Sequence, residues 1–166
     1  MRYYRVTAYD NHAGKPNESW YSDSVGSATP IYAGPVWYAS SDTGSDTVAG
    51  TGSGLHPYRT IFRALQMCNS GETVQLMACA NVFSESVVVT KDTVAIVGMG
   101  RSRSIISPGG VSGITANGHL KLTIRDLEVI NAYNSNTMFL TNNTNTLINK
   151  IKITNCKYGI YLDGNP

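Results

Sequence analysis

Charged residues are scarce in this sequence, at 14% of 166 residues, where globular proteins carry about 25%. Lys and Arg number 13 against 11 Asp and Glu, so the net charge is only +2. No run of like charges forms a basic arm or an acidic tail. The sequence therefore lacks the basic stripe of a nucleic-acid-binding domain, and we expect no nucleic-acid partner.

Long apolar runs and a cysteine framework are also missing. No run is long enough for a membrane-spanning helix, so we expect no membrane span. The three cysteines, Cys68, Cys79 and Cys156, are odd in number and widely spaced, which indicates neither a disulfide scaffold nor a metal site. Free cysteine is usually buried, and we expect three thiols in a core.

The sequence is instead rich in glycine, tyrosine and polar residues. Its 16 Gly and 10 Tyr accompany many Ser, Thr and Asn residues, and 42% of all residues are hydrophobic. Low charge combined with many β-branched residues favours an all-β, secreted protein over a cytosolic helical enzyme.

A repeat with a period in the twenties runs through the second half. Residues 123–131 (TIRDLEVIN) align with residues 147–155 (LINKIKITN), so Ile124 aligns with Ile148, and Val129 with Ile153. Residues 138–140 align with 160–162 at a slightly shorter spacing, and Ile96 aligns with Ile124 at a longer one. Short β-runs with this period predict a solenoid whose equivalent apolar side chains stack into one core.

The turns of the repeat also align. Asn131 and Asn155 occupy equivalent positions, one period apart. We expect their side-chain amides to hydrogen-bond to each other along the solenoid axis.

Two strand-like runs, over residues 2–10 and about 20–28, occupy residues 1–30 and flank a turn-rich segment at 11–18. The segments YYRVTAYD (3–10) and YSDSV (21–25) resemble the last two strands of a fibronectin type III domain. Such a domain has seven strands, so the resemblance implies that earlier strands and a signal sequence precede Met1. It implies a secreted or cell-surface location, with other domains of the same chain as partners.

A linker is predicted over residues 31–36, and a strand, a loop and a helix over residues 37–71. The helix is expected to begin at Pro57 and to end at residues 69–71. It has an apolar stripe formed by Ile61, Ala64, Leu65 and Cys68.

The strand VWYAS (36–40), the loop GSD (44–46) and the segments PYRTI (57–61) and GETVQL (71–76) resemble the entry of the pectate-lyase-like β-helix superfamily. The resemblance implies an all-β fold. A capping α-helix would precede a right-handed parallel β-helix over residues 72–166, truncated at its C-terminus.

The same resemblance implies a carbohydrate-handling function. We expect the N-terminal part of a secreted polysaccharide lyase or glycoside hydrolase that acts on acidic polysaccharide, inactive without the coils that would follow. A non-catalytic glycan-binding or adhesin-type surface protein is the alternative, and a phage tail fibre is a third. Polysaccharide is the expected partner in the first two cases.

Lyases of this superfamily use a Lys or Arg base, often with Ca²⁺ held by Asp. Arg125 and Asp126 align with Asn149 and Lys150 one repeat later, so Arg125, Asp126 and Lys150 are candidate substrate-binding residues. Ordinary solvated charge is the alternative interpretation. Tyr133 and Tyr161 are further candidates, because aromatic rings can stack on sugars, although packing also explains them.

No cofactor is evident in the sequence. The resemblance implies that the whole protein could bind Ca²⁺. Asp163 is the candidate metal ligand, and a simple turn is the alternative. Asp42 and Asp46 lie in the Gly/Ser-rich loop, where a turn-forming role is favoured over a metal site. The three histidines, His12, His56 and His119, have no carboxylate or cysteine partner at ligand spacing, and we expect no site from them.

Overall fold

A computed structural model of the protein describes residues 9–10, 17–18 and 35–164. The chain divides into two compact units, residues 1–31 and 32–166. Among the described residues, no helix is long and apolar enough to cross a membrane.

The first unit contains a short antiparallel pair. Strand β1 (Tyr9–Asp10) pairs with β2 (Asn17–Glu18). The first predicted strand is therefore supported at its end, while β2 begins inside the segment expected to be turn, because the chain has already reversed by Asn17. The second predicted strand, near residues 20–28, lies outside the described residues, so the fibronectin type III resemblance stays a prediction.

The second unit is a parallel β-solenoid of about four turns with one short helix. Its strands, in chain order, are β3 (Val36–Ala39), β4 (Thr73–Leu76), β5 (Val87–Val89), β6 (Ala95–Val97), β7 (Ile105–Ile106), β8 (Ile114–Asn117), β9 (Thr123–Arg125), β10 (Glu128–Ile130), β11 (Asn136–Thr141), β12 (Leu147–Asn149), β13 (Lys152–Thr154) and β14 (Tyr158–Asp163). The predicted all-β solenoid is confirmed.

Successive strands visit three parallel sheets in turn. Sheet 1 has the order β12-β9-β6-β4-β3, sheet 2 the order β13-β10-β7 and sheet 3 the order β14-β11-β8-β5. Each of the last three coils contributes one strand to each sheet, whereas the first coil supplies β4 and β5 and meets sheet 2 only through an isolated bridge at Phe83. All neighbours in these sheets are parallel.

The predicted stacking of apolar side chains is confirmed by the strand register. Ile124 pairs with both Ile96 and Ile148, and Val129 pairs with Ile153. One buried cluster continues through the coils. Its inward columns are Val74, Ile96, Ile124 and Ile148 in sheet 1, Phe83, Ile106, Val129 and Ile153 in sheet 2, and Val87, Ile114, Met138 and Ile160 in sheet 3.

The last coil is less well covered than the others. Ile153 and Ile160 belong to the inward columns, yet they are 36% and 42% exposed. Their counterparts one coil earlier, Val129 and Met138, are fully buried. A given apolar truncation should therefore cost less in the last coil than in the coil before it.

Helix α1 (Ile61–Met67) closes the entry of the solenoid, and it begins later than the predicted start at Pro57. The expected start was wrong because Tyr58 is held in a parallel bridge to Ala39, and Thr60 is an extended N-cap whose side chain accepts from the backbone N of Arg63. The apolar stripe is confirmed, since Ile61, Ala64, Leu65 and Cys68 are all buried.

The C-terminal end of α1 is held by a lysine from the first coil. Lys91 Nζ donates to the carbonyls of Leu65 (3.2 Å), Gln66 (2.9 Å) and Cys68. Cations stabilise this end of a helix, where carbonyl groups lack partners.

The expectation of three buried thiols is correct for one cysteine only. Burial raises the pKa of the Cys68 thiol to about 11, so it stays protonated at neutral pH. Cys79 and Cys156 are only half-buried, because they lie in turns rather than on the inward columns.

The corners between sheets use left-handed backbone. Asp126 (φ 58°) and Lys150 (φ 51°) turn the chain from sheet 1 to sheet 2, and Asn131 (φ 60°) and Asn155 (φ 53°) turn it from sheet 2 towards sheet 3. Asn and Asp tolerate this conformation better than most residues. Asn155 Nδ2 donates to Asn131 Oδ1 at 2.7 Å, which confirms the expected ladder.

The two loop aspartates bind segments distant in sequence, which goes beyond the local turn-forming role expected of them. Asp42 accepts from the backbone N of Ala80 (2.6 Å) and Asn81 (2.9 Å). Asp46 accepts from the backbone N of Arg59 (2.8 Å) and from the Thr60 hydroxyl (2.8 Å). Each carboxylate therefore ties the loop to another segment.

These bonds give the fold an acid-sensitive contact. Backbone hydrogen bonds from Asn81 and Ala80 hold the pKa of Asp42 below its ordinary value of 3.8. A carboxyl whose pKa is lowered by folding stabilises the protein above the unfolded pKa, and this contribution is lost as pH falls through the folded pKa. We expect the unfolding temperature to decrease when the pH is lowered beyond about 4. The decrease should be smaller in Asp42→Asn. Parallel acid profiles of the two proteins would contradict this assignment.

Candidate functional site

The outward face of sheet 3 carries a column of side chains from four coils. In β11, Met138 and Leu140 are buried, while Phe139 between them points outward and is 38% exposed. Strand register places Val88, Thr115, Phe139 and Tyr161 in one outward column. The rings of Phe139 and Tyr161 stack with centroids 5.0 Å apart and planes 13° from parallel.

A polar column runs beside this aromatic pair, two positions further along each strand. Thr141 pairs in register with Asn117 on one side and Asp163 on the other. Thr141 Oγ1 donates to Asn117 Oδ1 at 2.9 Å, and Tyr161 Oη lies 3.3 Å from Asp163 Oδ2. The face therefore offers aromatic surface next to hydroxyl, amide and carboxylate groups.

A groove of about 220 Å³ lies across this face. Its walls come from three coils and mix apolar and polar groups. They are Val88, Val89, Thr115, Ala116, Asn117, His119, Phe139 and Thr141.

An aspartate and a histidine meet at the end of the groove. His119 Nδ1 lies 3.1 Å from Asp92 Oδ1, which also accepts from the backbone N of Leu120 at 3.1 Å. Hydrogen bonds from Leu120 N and then from His119 hold the pKa of Asp92 below its ordinary value. His119 therefore has a carboxylate partner that sequence analysis missed, because partners were considered only at metal-ligand spacing.

A second reason for this miss is the unequal length of the coils. Asp92 precedes His119 by 27 residues, which is also the offset that pairs Val88 with Thr115. The period that the sequence shows in the later coils is shorter, so it does not point to a partner at this offset.

The predicted charged patch does form, at the corner between sheets 1 and 2. Arg125 Nη1 contacts Asp126 Oδ2, and Lys150 Nζ lies 4.0 Å from Asp126 Oδ1. Pairs of this exposure contribute about 0–1 kcal/mol. Two of the three residues also supply the left-handed corners, which gives Asp126 and Lys150 a structural role besides any binding role.

A stronger ion pair next to this patch was missed. Lys152 Nζ lies 2.9 Å from Glu128 Oε1, and the Glu128 side chain is almost fully buried. The register that stacks β10 on β13 pairs these two residues directly, so the sequence repeat itself contained the signal.

The structure does not gather all five predicted binding residues. Tyr133 lies in the turn between β10 and β11, 52% exposed, with its hydroxyl 3.5 Å from the Gly109 carbonyl. Tyr161 lies on sheet 3, apart in the fold from the charged corner. Phe139, the partner of Tyr161, is the binding candidate that sequence analysis missed.

The proposed metal ligand Asp163 ends β14, beside the Tyr161 hydroxyl, and its backbone carbonyl accepts from Asn142 N at 2.7 Å. Within residues 35–164, no three His, Cys, Asp or Glu side chains form a group that could hold a metal ion. Ca²⁺ also takes carbonyl and amide oxygens as ligands, so the role of Asp163 stays a prediction.

A larger cavity of about 440 Å³ lies between the entry loop and the first coil, with Ser41, Arg59, Asn81 and Glu85 in its walls. Glu85 accepts from the backbone N of Ile61 (2.8 Å) and Phe62 (2.9 Å). Burial raises the pKa of Glu85 above its ordinary value. Both of its oxygens serve the first turn of α1, so Glu85 acts as a cap for the helix.

The described coils therefore define a parallel β-solenoid with an aromatic and polar face on one sheet. A scan against protein-family models finds no match for the chain, and no curated protein matches it. The assignment to the solenoid class rests on the strand register of this chain itself.

Proposed function

We propose that the solenoid is a carbohydrate-binding module of a secreted or cell-surface protein, with the outward face of sheet 3 as its binding surface. The stacked pair of Phe139 and Tyr161, exposed beside the polar column, is the observation that carries this proposal. Aromatic faces bind the apolar face of a sugar ring, and nearby hydroxyls and amides satisfy its hydroxyl groups.

The direction of the column suits a polymer. Each coil adds one outward side chain at the position occupied by Val88, Thr115, Phe139 and Tyr161, with neighbouring strands about 4.8 Å apart. A glycan chain lying along the solenoid axis meets a new side chain at every coil. This arrangement favours a polysaccharide over a single small sugar.

Binding explains the described acidic residues better than glycoside hydrolysis does. Every acidic side chain in residues 35–164 already has a hydrogen-bond or ion-pair partner within the chain. A glycosidase needs a pair of carboxyl groups directed at the substrate. For these coils we therefore favour glycan binding, the alternative weighed from the sequence, over glycoside hydrolysis.

A lyase or hydrolase that acts on acidic polysaccharide is the second candidate for the whole protein. The resemblance to the pectate-lyase-like superfamily suggests it, and the cations of Arg125 and Lys150 at one corner suit uronate carboxylates. Unsaturated products from polygalacturonate, formed by a protein that contains these coils, would support the lyase form. Their absence with every acidic polymer tested would remove it.

The binding proposal predicts a large effect at Phe139. We expect Phe139→Ala to weaken polysaccharide binding about tenfold, since loss of one stacking surface is worth about 1.4 kcal/mol. Affinity electrophoresis in gels that contain neutral or acidic polysaccharide measures the change.

Phe62→Ala is the matched control for this experiment. Phe62 is an exposed phenylalanine on α1 and is not part of the groove walls, and its replacement should leave binding unchanged. The proposal fails if the wild-type chain binds no polysaccharide in a broad panel. It also fails if folded Phe139→Ala migrates like the wild type.

A further inference from the structure

We infer that His119, oriented by Asp92, accepts a hydrogen bond from a hydroxyl group of a neutral sugar unit that lies in the sheet 3 groove. This inference rests on the proposed carbohydrate-binding function. The inference adds a binding residue and a ligand class to that proposed function.

The position of His119 supports the assignment. Its side chain lines the groove together with Phe139, and it is 17% exposed. The groove is therefore bounded by an aromatic ring and by an imidazole. A ligand that fits it needs an apolar face for Phe139 and a polar group for His119.

The chemistry of the pair defines which polar group this is. Asp92 Oδ1 lies 3.1 Å from His119 Nδ1, and an ionised carboxylate can only accept. Nδ1 therefore carries the proton in the neutral ring, and Nε2 is left with a lone pair. A lone pair at this position accepts a hydrogen bond from a ligand hydroxyl.

The backbone around His119 is held from the opposite side as well. His119 N donates to Asn143 Oδ1 at 2.8 Å, and Asn143 Nδ2 donates to the Ala116 carbonyl at 3.0 Å. Asn143 is almost completely buried. The acceptor nitrogen is thus fixed by contacts to the coils before and after it, as a binding group requires.

Charge on this face favours a neutral sugar over a uronate. Asp92 follows β5 at one edge of sheet 3 and is bonded to His119 of the groove wall, and Asp163 lies in β14 at the opposite edge of the same sheet. A second carboxylate from a uronate would meet like charge, whereas sugar hydroxyls can donate to these groups. Thr115, Asn117 and Thr141 supply further partners for hydroxyl groups.

The test uses the 166-residue chain with three probes: cellohexaose, mannohexaose and hexagalacturonate. We expect at least one neutral probe to bind more tightly than hexagalacturonate. His119→Ala should weaken that binding about fivefold to tenfold. His56→Ala, which replaces an exposed histidine of the entry loop, should bind like the wild type.

Imidazole nitrogen NMR spectra of the wild-type chain give an independent measurement that needs no core substitution. They should show the Nδ1–H form of His119, and the Nε2 signal should move as the neutral probe binds. Asp92→Asn should shift the balance of the two neutral forms and weaken binding of the neutral probe with it, and a purely structural role for Asp92 does not require the second effect.

The outcomes separate this inference from the broader proposal. If Phe139→Ala loses binding while His119→Ala keeps it and the Nε2 signal stays still, the inference is wrong and the binding surface stands. Preference for hexagalacturonate overturns the neutral ligand. If the wild-type chain binds none of these probes and no polysaccharide in the broad panel, both the inference and the proposed function fall.

Discussion

Replacing Ile124 with alanine is expected to lower the free energy of unfolding by about 3 kcal/mol. Ile124 is fully buried and pairs with the equivalent isoleucine of the coil before it and of the coil after it, at Ile96 and Ile148. Truncation removes the methyl and methylene carbons beyond Cβ from this column. Neighbouring coils cannot close the cavity without breaking the register of sheet 1.

Ile148→Ala provides the matched control. It occupies the same column one coil later, where the side chain is only half-buried. We expect it to cost about half as much, since less surface returns to water and less cavity is left. Urea unfolding followed by circular dichroism measures both variants, and equal losses would contradict the expected dependence of the cost on burial.

The core was predictable because stacking leaves a periodic trace in the sequence. Ile124 and Ile148 are alike in size and shape, as are Val129 and Ile153, because each must fill the same layer as its neighbour. The chain between them turns corners that also recur, at Asp126 and Lys150. A period of this kind therefore predicts the strand register as well as the fold class.

The contacts of helix α1 at the entry of the solenoid were less predictable, because they join segments with no common period. Glu85 reaches the first turn of α1 from 24 residues away, and Lys91 reaches the last turn from the same coil. Neither contact changes the apolar stripe of the helix. The stripe places the buried face correctly, whereas the preference of Pro57 for a first turn placed the start of the helix one turn too early.

The outward aromatic face of sheet 3 was partly predictable from the sequence. The alignment of residues 138–140 with 160–162 already put Phe139 above Tyr161, and the alternation of burial in β11 shows that both rings point outward. Considered singly, the aromatic residues gave Tyr133 and Tyr161 as candidates and left out Phe139. Treating the aligned pair as a unit would have identified the aromatic surface before the structure did.

The Asp92–His119 contact marks the limit of such reasoning. Its offset of 27 residues differs from those of the later coils because the turns of the early coils are longer. Loop length varies freely at solenoid corners, while the strands keep their register. Contacts at corners therefore depend on local turn length, which single-sequence periodicity does not contain.

The asparagine ladder leads to the second large prediction. We expect Asn131→Ala to lower the free energy of unfolding by about 3 kcal/mol, from two separate losses. Asn131 accepts from Asn155 Nδ2 at 2.7 Å and donates to Ser107 Oγ at 3.2 Å. Alanine removes both bonds, and it must also adopt the left-handed backbone (φ 60°) that asparagine tolerates.

Asn131→Gly separates these two losses, because glycine adopts positive φ without strain but has no side chain to join the ladder. We expect it to cost about 2 kcal/mol, less than alanine and more than zero. Asn134→Ala, an exposed position in the next turn, should change stability by less than about 0.5 kcal/mol. Thermal and urea unfolding of the three variants measure the ladder directly. If glycine at residue 131 were as stable as the wild type, backbone conformation alone would explain the asparagine, and the stacked amides would contribute nothing to holding successive coils together.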